Sequence, residues 1–174
     1  MAEDIILQIG TDYPITEKIA HARELFSIFG HQLLRDRNIS KLLEEYHDAV
    51  KHTWEVMEQT GVCAFCTRCA IEDGGSCCGD GIENKFDAIL LLINLLLGCD
   101  LPERRQIDCG CWFLGDTGCR LIARHVICVN YMCKALSDSL SSSDRQLLAD
   151  AMLQETDLVF LIEEKIKRWI QIQR

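Results

Sequence analysis

Residues 86–97, FDAILLLINLLL, dictate the architecture more than any other part of the chain. The polar residues in this segment are Asp87 and Asn94, so a helix formed here is apolar on most of its sides. A helix of that kind is buried among other elements. The run is about a dozen residues long, whereas a helix needs roughly 20 to cross a bilayer. We therefore predict a central buried helix over residues 82–98, ended by Gly98, and no membrane partner.

Amphipathic helices are predicted before this segment. Apolar residues recur at a spacing of three and four over residues 16–37, with charged residues on the other face. The same period continues after Ser40, a predicted N-cap, until Gly61 ends it. Two long helices joined by a few residues are expected to pack antiparallel.

Further helices are predicted after the central segment. Asp100 is expected to open a short helical turn, and a second helix is expected from about residue 119 to 136. Ser143 and Gln146 form a predicted capping box for one long closing helix. The sequence therefore predicts a single all-α domain over residues 1–174, a helical bundle of about five helices with two cysteine-rich loops.

The composition excludes several classes of protein. The 174 residues are 48% hydrophobic with two prolines, which excludes a collagenous, low-complexity or disordered chain. The net charge of -9 argues against binding to nucleic acid or to anionic membranes. Residues 1–10 are acidic where a secretory signal is basic, and their apolar stretch is short. We therefore expect a cytoplasmic protein whose partner is another protein.

Cysteine is the exceptional residue, with 11 copies in the chain. Thiols in a reducing cytoplasm stay free unless a metal holds them, so this number favours a metal or redox protein. They concentrate in residues 61–81, predicted as a loop, and in residues 109–133. The pattern reads Cys63-x-x-Cys66-x-x-Cys69, Cys77-Cys78, then Cys109-x-Cys111, Cys119, Cys128 and Cys133. Thiolates two residues apart suit a metal, because a tight turn can aim both sulfurs at one ion.

The spacing leaves the metal open between iron–sulfur and zinc. The first three cysteines match the opening of the bacterial ferredoxin run, but Asp73 occupies the place of the fourth cysteine. A fourth ligand is then expected from Cys77, Cys78 or the second segment, with Asp73 as an outside candidate. Glycines around Cys77 and Cys78 can point backbone N–H groups at sulfur, which favours an iron–sulfur cluster. Zinc remains the alternative, since eight to ten thiolates would fill about two tetrahedral sites.

Residues 111–128, CWFLGDTGCRLIARHVIC, together with the upstream cysteine cluster, resemble the YkgJ-type cysteine-cluster family of zinc- or iron-chelating domains. The resemblance covers about residues 63–131. Trp112 replaces a proline of the family pattern, His125-Val126 stands where Arg-Pro is usual, and seven extra residues precede Cys77. The resemblance implies metal-ligand roles for Cys66, Cys69, Cys77, Cys78, Cys111, Cys119 and Cys128. Cys63, from the C-x-x-C series, completes the candidate set.

Other chemistry-bearing residues receive simpler interpretations. Cys99 is expected to pack as a small hydrophobe, and Cys128 and Cys133 are too far apart around a helix to share an ion. His125, inside the second cysteine segment, is an alternative ligand. The remaining histidines show no metal-binding spacing and are expected at surface or half-buried positions: His21, His31, His47 and His52.

Three functions remain open at this stage. The first is an iron–sulfur protein in electron transfer, redox sensing or metal handling. The second is an adaptor in which zinc pins the loops while the helical surface binds a protein partner. The third is an enzyme that uses a cluster or a reactive thiol, although no nucleophile–base pair names a reaction.

Overall fold

The computed structural model describes residues 12–72 and 77–173, and the side chains of residues 70–72 are outside that description. The predictions for residues 1–10, Asp73 and the glycines at 74 and 75 fall outside the described residues. The described chain is mostly helical, which confirms the all-α prediction. Its elements are α1 (Ile15–Arg35), α2 (Arg37–Gln59), α3 (Val62–Glu72), a 3-10 turn (Ile82–Lys85), α4 (Ala88–Leu96), β1 (Leu114–Gly115), β2 (Gly118–Cys119), α5 (Val126–Asn130), α6 (Lys134–Ser139) and α7 (Ser142–Ile172).

The central helix is α4, and eight of its nine residues are buried. Asp87 caps its N-terminus by accepting a hydrogen bond from the Leu90 N–H at 2.7 Å. Gly98 ends it with φ +80, while the Cys99 N–H bonds back to the Asn94 carbonyl at 2.9 Å. A positive φ of this kind is one that glycine adopts without a steric cost. The prediction of a buried helix ended by Gly98 is therefore confirmed, but its start at residue 82 was wrong, because Ile82–Lys85 form a separate 3-10 turn and Asp87 caps α4.

The long helices pack in two main pairs. α1 packs chiefly along α4 and α2 packs chiefly along α7, whereas α1 and α2 contact each other much less. The pairing of α1 with α2 is therefore not the main contact that we expected. Asp36 alone joins these two helices, and its carboxylate caps α2 by accepting from the N–H groups of Asn38 and Ile39. The N-cap prediction at Ser40 was wrong, because Asp36 already satisfies the first free N–H groups.

Two hydrophobic clusters lie inside the bundle. The larger cluster joins α1, α4 and the second half of α7 to residues Phe113, Leu121 and Ala123. The smaller cluster joins the end of α2 to α3, α5, α6 and the first half of α7, and includes Val56, Val62 and Val129. The second cysteine segment is thus packed on the main core, while α3 rests on the smaller one.

Two predicted helices are absent from the described residues. No helix opens at Asp100, and the long helix expected over 119–136 is replaced by β2, α5 and α6. The carbonyl of Leu101 instead accepts a hydrogen bond from Arg23 at 2.8 Å, and that of Pro102 accepts one from Trp112 at 3.1 Å. Tertiary contacts with side chains have taken the groups that a helix would use.

Smaller boundary differences complete the comparison. α7 begins at Ser142, with Ser141 as its N-cap, so the capping box predicted at Ser143 was placed two residues late.

Across residues 12–72 and 77–173, no helix is both long enough and apolar enough to pass through a lipid bilayer.

Candidate metal centre

The first cysteine segment begins as a helix. We predicted a loop over residues 61–81, and this prediction was wrong for Val62–Glu72, which form α3. Val62 is buried and Phe65 packs against the smaller core cluster, so this stretch has an apolar side that favours a helix over a loop. Gly61, with φ +75, separates α2 from α3.

Helix geometry changes how the first three thiols are presented. Residues three apart in an α-helix are rotated by about 300°, so Cys63, Cys66 and Cys69 occupy about 120° of the circumference of α3. They therefore share one side of the helix, rather than the tight loop that the C-x-x-C spacing suggested. Burial raises the pKa of Cys63, and a hydrogen bond with Glu58 raises it further.

The two cysteine segments are joined directly through their backbones. The Cys111 N–H donates to the Cys78 carbonyl at 2.8 Å, and Gly79 pairs with Gly110 in an antiparallel bridge. Cys78 and Cys111 are thus neighbours in space although they are 33 residues apart in the sequence.

Arg105 ties the same two segments together through its side chain. Its guanidinium contacts Asp80 at 2.6 Å and Glu83 at 2.5 Å, and it also donates to the Gly110 carbonyl. Glu83 is almost fully buried, and its other carboxylate oxygen accepts from the Gly81 N–H at 3.0 Å. Hydrogen bonds between charged groups are stronger than those between neutral groups, so Arg105 stabilises the junction at Gly110.

A short hairpin positions the next two thiols. Leu114 pairs with Cys119 and Gly115 pairs with Gly118, whose φ of +110 suits glycine. Cys111 immediately precedes the hairpin and is buried, while Cys119 lies on β2 and is half-buried. The hairpin therefore returns the chain toward Cys111.

Asn94 anchors the chain where it leaves the hairpin. Its amide oxygen accepts from the N–H groups of Ile122 and Ala123, each at 2.9 Å, and its amide nitrogen donates to the Ala123 carbonyl at 2.9 Å and to the Leu90 carbonyl at 3.0 Å. Asn94 is fully buried. The sequence showed this residue only as a polar interruption of an apolar helix, a signal that could have pointed to a buried structural role.

Thiols of both segments interact electrostatically with Cys78. The pKa of Cys128 is raised to about 11, first by burial and then by the neighbouring thiols of Cys119 and Cys78. The pKa of Cys111 is raised to about 12, first by burial, and Glu83, Cys119 and Cys78 contribute to the rise. Burial is likewise the main cause of the raised pKa of Cys119, to which the charge of Cys78 adds.

The same electrostatic neighbourhood includes the first segment. A hydrogen bond with Cys78 is the largest cause of the raised pKa of Cys77, and burial is the second. Burial raises the pKa of Cys66, and the charges of Cys133 and Cys78 raise it further. We call the six thiols that surround and include Cys78 the thiol cluster: Cys66, Cys77, Cys78, Cys111, Cys119 and Cys128.

Cys63 and Cys99 make polar contacts with residues other than these six thiols. Cys63 neighbours Cys66 but bonds to Glu58. Cys69 is half-buried further along α3. Cys99 is half-buried and packs against the larger core, with its thiol donating to the Arg120 carbonyl at 3.2 Å.

Histidine does not contribute a group to the thiol cluster. His125 caps α5, its Nδ1 accepting from the Ile127 N–H at 3.2 Å, and its ring packs on Phe86. Burial lowers the pKa of His125. Contrary to the expectation of a surface or half-buried position, His21 is buried on α1, where Nδ1 lies 3.3 Å from a Glu24 carboxylate oxygen.

A buried arginine lies beside the thiols. Arg124 forms hydrogen bonds of 3.1 and 3.2 Å to the two carboxylate oxygens of Glu155, and its guanidinium lies 4.8 Å from the centre of the Trp54 ring. Burial raises the pKa values of Cys63, Cys119 and Cys128, and the positive charge of Arg124 offsets part of that rise in each. In the sequence, Arg124 stands out only as part of residues 111–128, which resemble the YkgJ-type family, and nothing there indicates this role.

The thiol cluster is not a formed coordination sphere. Among the residues that the structure describes, no three side chains of His, Cys, Asp or Glu are arranged closely enough to hold a metal ion. The donor set nevertheless suits a thiophilic metal, since six thiols from both segments share one electrostatic neighbourhood. Coordination would require the sulfurs to lose their protons and move closer together.

Comparison with known proteins finds no counterpart. No protein-family model, no curated protein and no solved structure matches the chain. The resemblance to the YkgJ-type family therefore stays a prediction from residues 63–131.

Proposed function

We propose that this protein binds a metal through cysteines of both segments, as an iron–sulfur centre or, alternatively, as a zinc centre. The observation that carries the proposal is the direct junction of the segments at Cys78 and Cys111. That junction brings cysteines of both segments to one place, which a metal site shared by the two segments requires.

Electrostatics supports a cation at this place. Burial and mutual repulsion raise the pKa values of the clustered thiols, so thiolates are disfavoured there without a compensating charge. A bound cation supplies that charge and holds the sulfurs as thiolates, with release of their protons. Arg124 supplies a fixed positive charge on the protein side, which favours an anionic metal–thiolate centre over an isolated neutral one.

The backbone around the thiols favours iron–sulfur over zinc. A structural zinc ion and an iron–sulfur cluster each take four cysteine ligands, so the six thiols of the thiol cluster are enough for either. Iron–sulfur clusters gain from backbone N–H groups near sulfur, and the bridge between Gly79 and Gly110 brings two stretches of backbone together beside Cys78 and Cys111. An iron–sulfur centre implies electron transfer, redox sensing or metal handling, in a cytoplasmic setting where thiols remain reduced.

The test is metal analysis of the full chain purified without oxygen. We expect stoichiometric iron and acid-labile sulfide together with a visible sulfur-to-iron absorption band. Cys78→Ser and Cys111→Ser should lose most of the metal. Cys99→Ser is the matched control, because a serine hydroxyl can still donate to the Arg120 carbonyl that Cys99 now contacts; it should retain the metal.

Three results decide among the functions. Zinc in place of iron would select the structural zinc adaptor, and chelation should then unfold the cysteine segments without a redox signal. Absence of both metals would refute the proposal. An equal loss of metal in Cys99→Ser would show that the cluster around Cys78 is not the binding site.

A further inference from the structure

An apolar groove lies between α2 and α7. None of its described lining residues is a cysteine. Its apolar lining comes from three leucines of α7: Leu153, Leu158 and Leu161. Leu153 is 58% exposed and Leu161 is 53% exposed, so both add apolar surface to the groove. The groove encloses about 510 Å³.

The rim of this groove is acidic. Glu45 of α2 and Asp150 and Asp157 of α7 line it, and among its described lining residues there is neither lysine nor arginine. Glu45 lies 3.4 Å from Lys41 on its own helix, and Asp150 accepts a hydrogen bond from the Gln146 amide at 2.9 Å. An amide leaves the negative charge of Asp150 uncompensated, so the rim keeps a net negative charge.

The dimensions suit one short helix. From Asp150 to Leu161 the groove follows twelve residues of α7, which are separated by eleven helical rises. At a rise of 1.5 Å per residue this is about 16 Å, or about three turns of a helix laid alongside. An amphipathic helix binds a groove of this kind through apolar residues at i, i+3, i+4 and i+7.

We infer that this groove binds a basic amphipathic helix of a protein partner. The apolar face of that helix would cover Leu153, Leu158 and Leu161, and its flanking lysines or arginines would face Asp150 and Asp157. Complementary charge favours a basic helix over a neutral or acidic one and makes the association sensitive to salt. This inference stands independently of the metal, because its residues carry no thiol.

The test uses two synthetic peptides of about 18 residues, enough to form a stable helix on binding. Both place leucine at the helical spacing; one carries lysine at the remaining positions and the other glutamate. We expect the lysine peptide, by fluorescence anisotropy, to bind at least tenfold more tightly than the glutamate peptide, as about 1.4 kcal/mol of charge preference would produce. Its affinity should fall as salt is added.

Variants of the full chain locate the binding. Leu153→Asp with Leu161→Asp should weaken binding of the lysine peptide by about tenfold or more, since both leucines line the groove and are exposed to a partner. Asp150→Asn with Asp157→Asn should weaken it less and should reduce the salt dependence. Ile28→Asp, at an exposed apolar position of α1, is the control and should bind like the unmodified protein.

Several outcomes would overturn the inference. Equal binding of the two peptides, or an equal loss in Ile28→Asp, would show general stickiness rather than a groove site. Absence of lysine-peptide binding would also refute it. Sedimentation would reveal a second copy as the occupant if the unmodified protein self-associates and Leu153→Asp with Leu161→Asp abolishes that association.

Discussion

The ion pair between Arg124 and Glu155 offers a sharp test of how this bundle is stabilised. The side chains are 8% and 1% exposed, and the carboxylate accepts from Arg124 at 3.1 and 3.2 Å. Arg124 Nε has no hydrogen-bond partner among the described residues, so the guanidinium depends on Glu155 and on the ring of Trp54. Loss of the Glu155 charge would leave a buried cation without compensation.

The expected magnitude follows from that burial. Breaking a buried pair by removing one partner costs about 3–5 kcal/mol, since the remaining charge keeps its desolvation penalty. Glu155→Gln retains the shape of the side chain and one acceptor oxygen, so we expect the lower end, about 3 kcal/mol. Replacing both partners by apolar residues, Arg124→Met with Glu155→Leu, should recover most of this loss.

Urea unfolding of Glu155→Gln and of the double variant measures the effect. The midpoint should shift while the slope with denaturant stays constant, as for a change in stability alone. Glu55→Gln is the matched control, because Glu55 forms an exposed pair with Lys51 at 4.0 Å and should cost well under 1 kcal/mol. If Glu155→Gln were no more costly than Glu55→Gln, the buried pair would not be the anchor that the structure indicates.

Three further predictions concern other positions. Burial, and secondarily Asp87, raises the pKa of Glu163 from 4.5 to about 7, so between these pH values the folded state holds a proton that the unfolded state has lost. The free energy of unfolding should therefore fall by up to about 3 kcal/mol as the pH rises from about 4.5 to 7. Glu163→Gln should flatten this profile in denaturation measurements at successive pH values. Asn94→Leu should lower the free energy of unfolding in urea by about 2–4 kcal/mol, because the N–H groups of residues 122 and 123 lose their acceptor. The same variant should speed amide hydrogen exchange over residues 119–124. Unchanged exchange there would contradict the anchoring role of Asn94. A Cβ at Gly110 would lie 2.8 Å from a Leu114 methyl carbon, whereas a Cβ at Gly79 meets nothing within 4 Å. Gly110→Ala should therefore lower the thermal midpoint of unfolding and the metal content of the protein. Gly79→Ala is the control and should leave both near the unmodified values.

Local sequence patterns were sufficient for the long helices. The apolar run at residues 86–97 and the spacing of apolar residues before and after it predicted α1, α2, α4 and α7, because each helix buries one continuous face. The helix over 119–136 was predicted wrongly for a reason that local patterns do not contain. There the Asn94 side chain, 28 residues earlier in the chain, binds the backbone of residues 122 and 123.

The candidate site shows the same division. Cysteine spacing drew attention to both segments, but the many glycines and the few large aliphatic residues of residues 61–81 predicted a loop where α3 forms. Spacing also said nothing of Arg105, whose bonds to Glu83 and Gly110 hold the junction together.

The chain alone therefore determined its helical class, its buried centre and the thiols worth examining, since amphipathic periodicity and residue chemistry are local properties. Which thiols become neighbours was decided only on folding. Cys78 and Cys111 are 33 residues apart in the sequence and meet through a hydrogen bond between their backbones. Contacts of that range depend on the packing of the hairpin and α4 against one core, which no short window of sequence encodes.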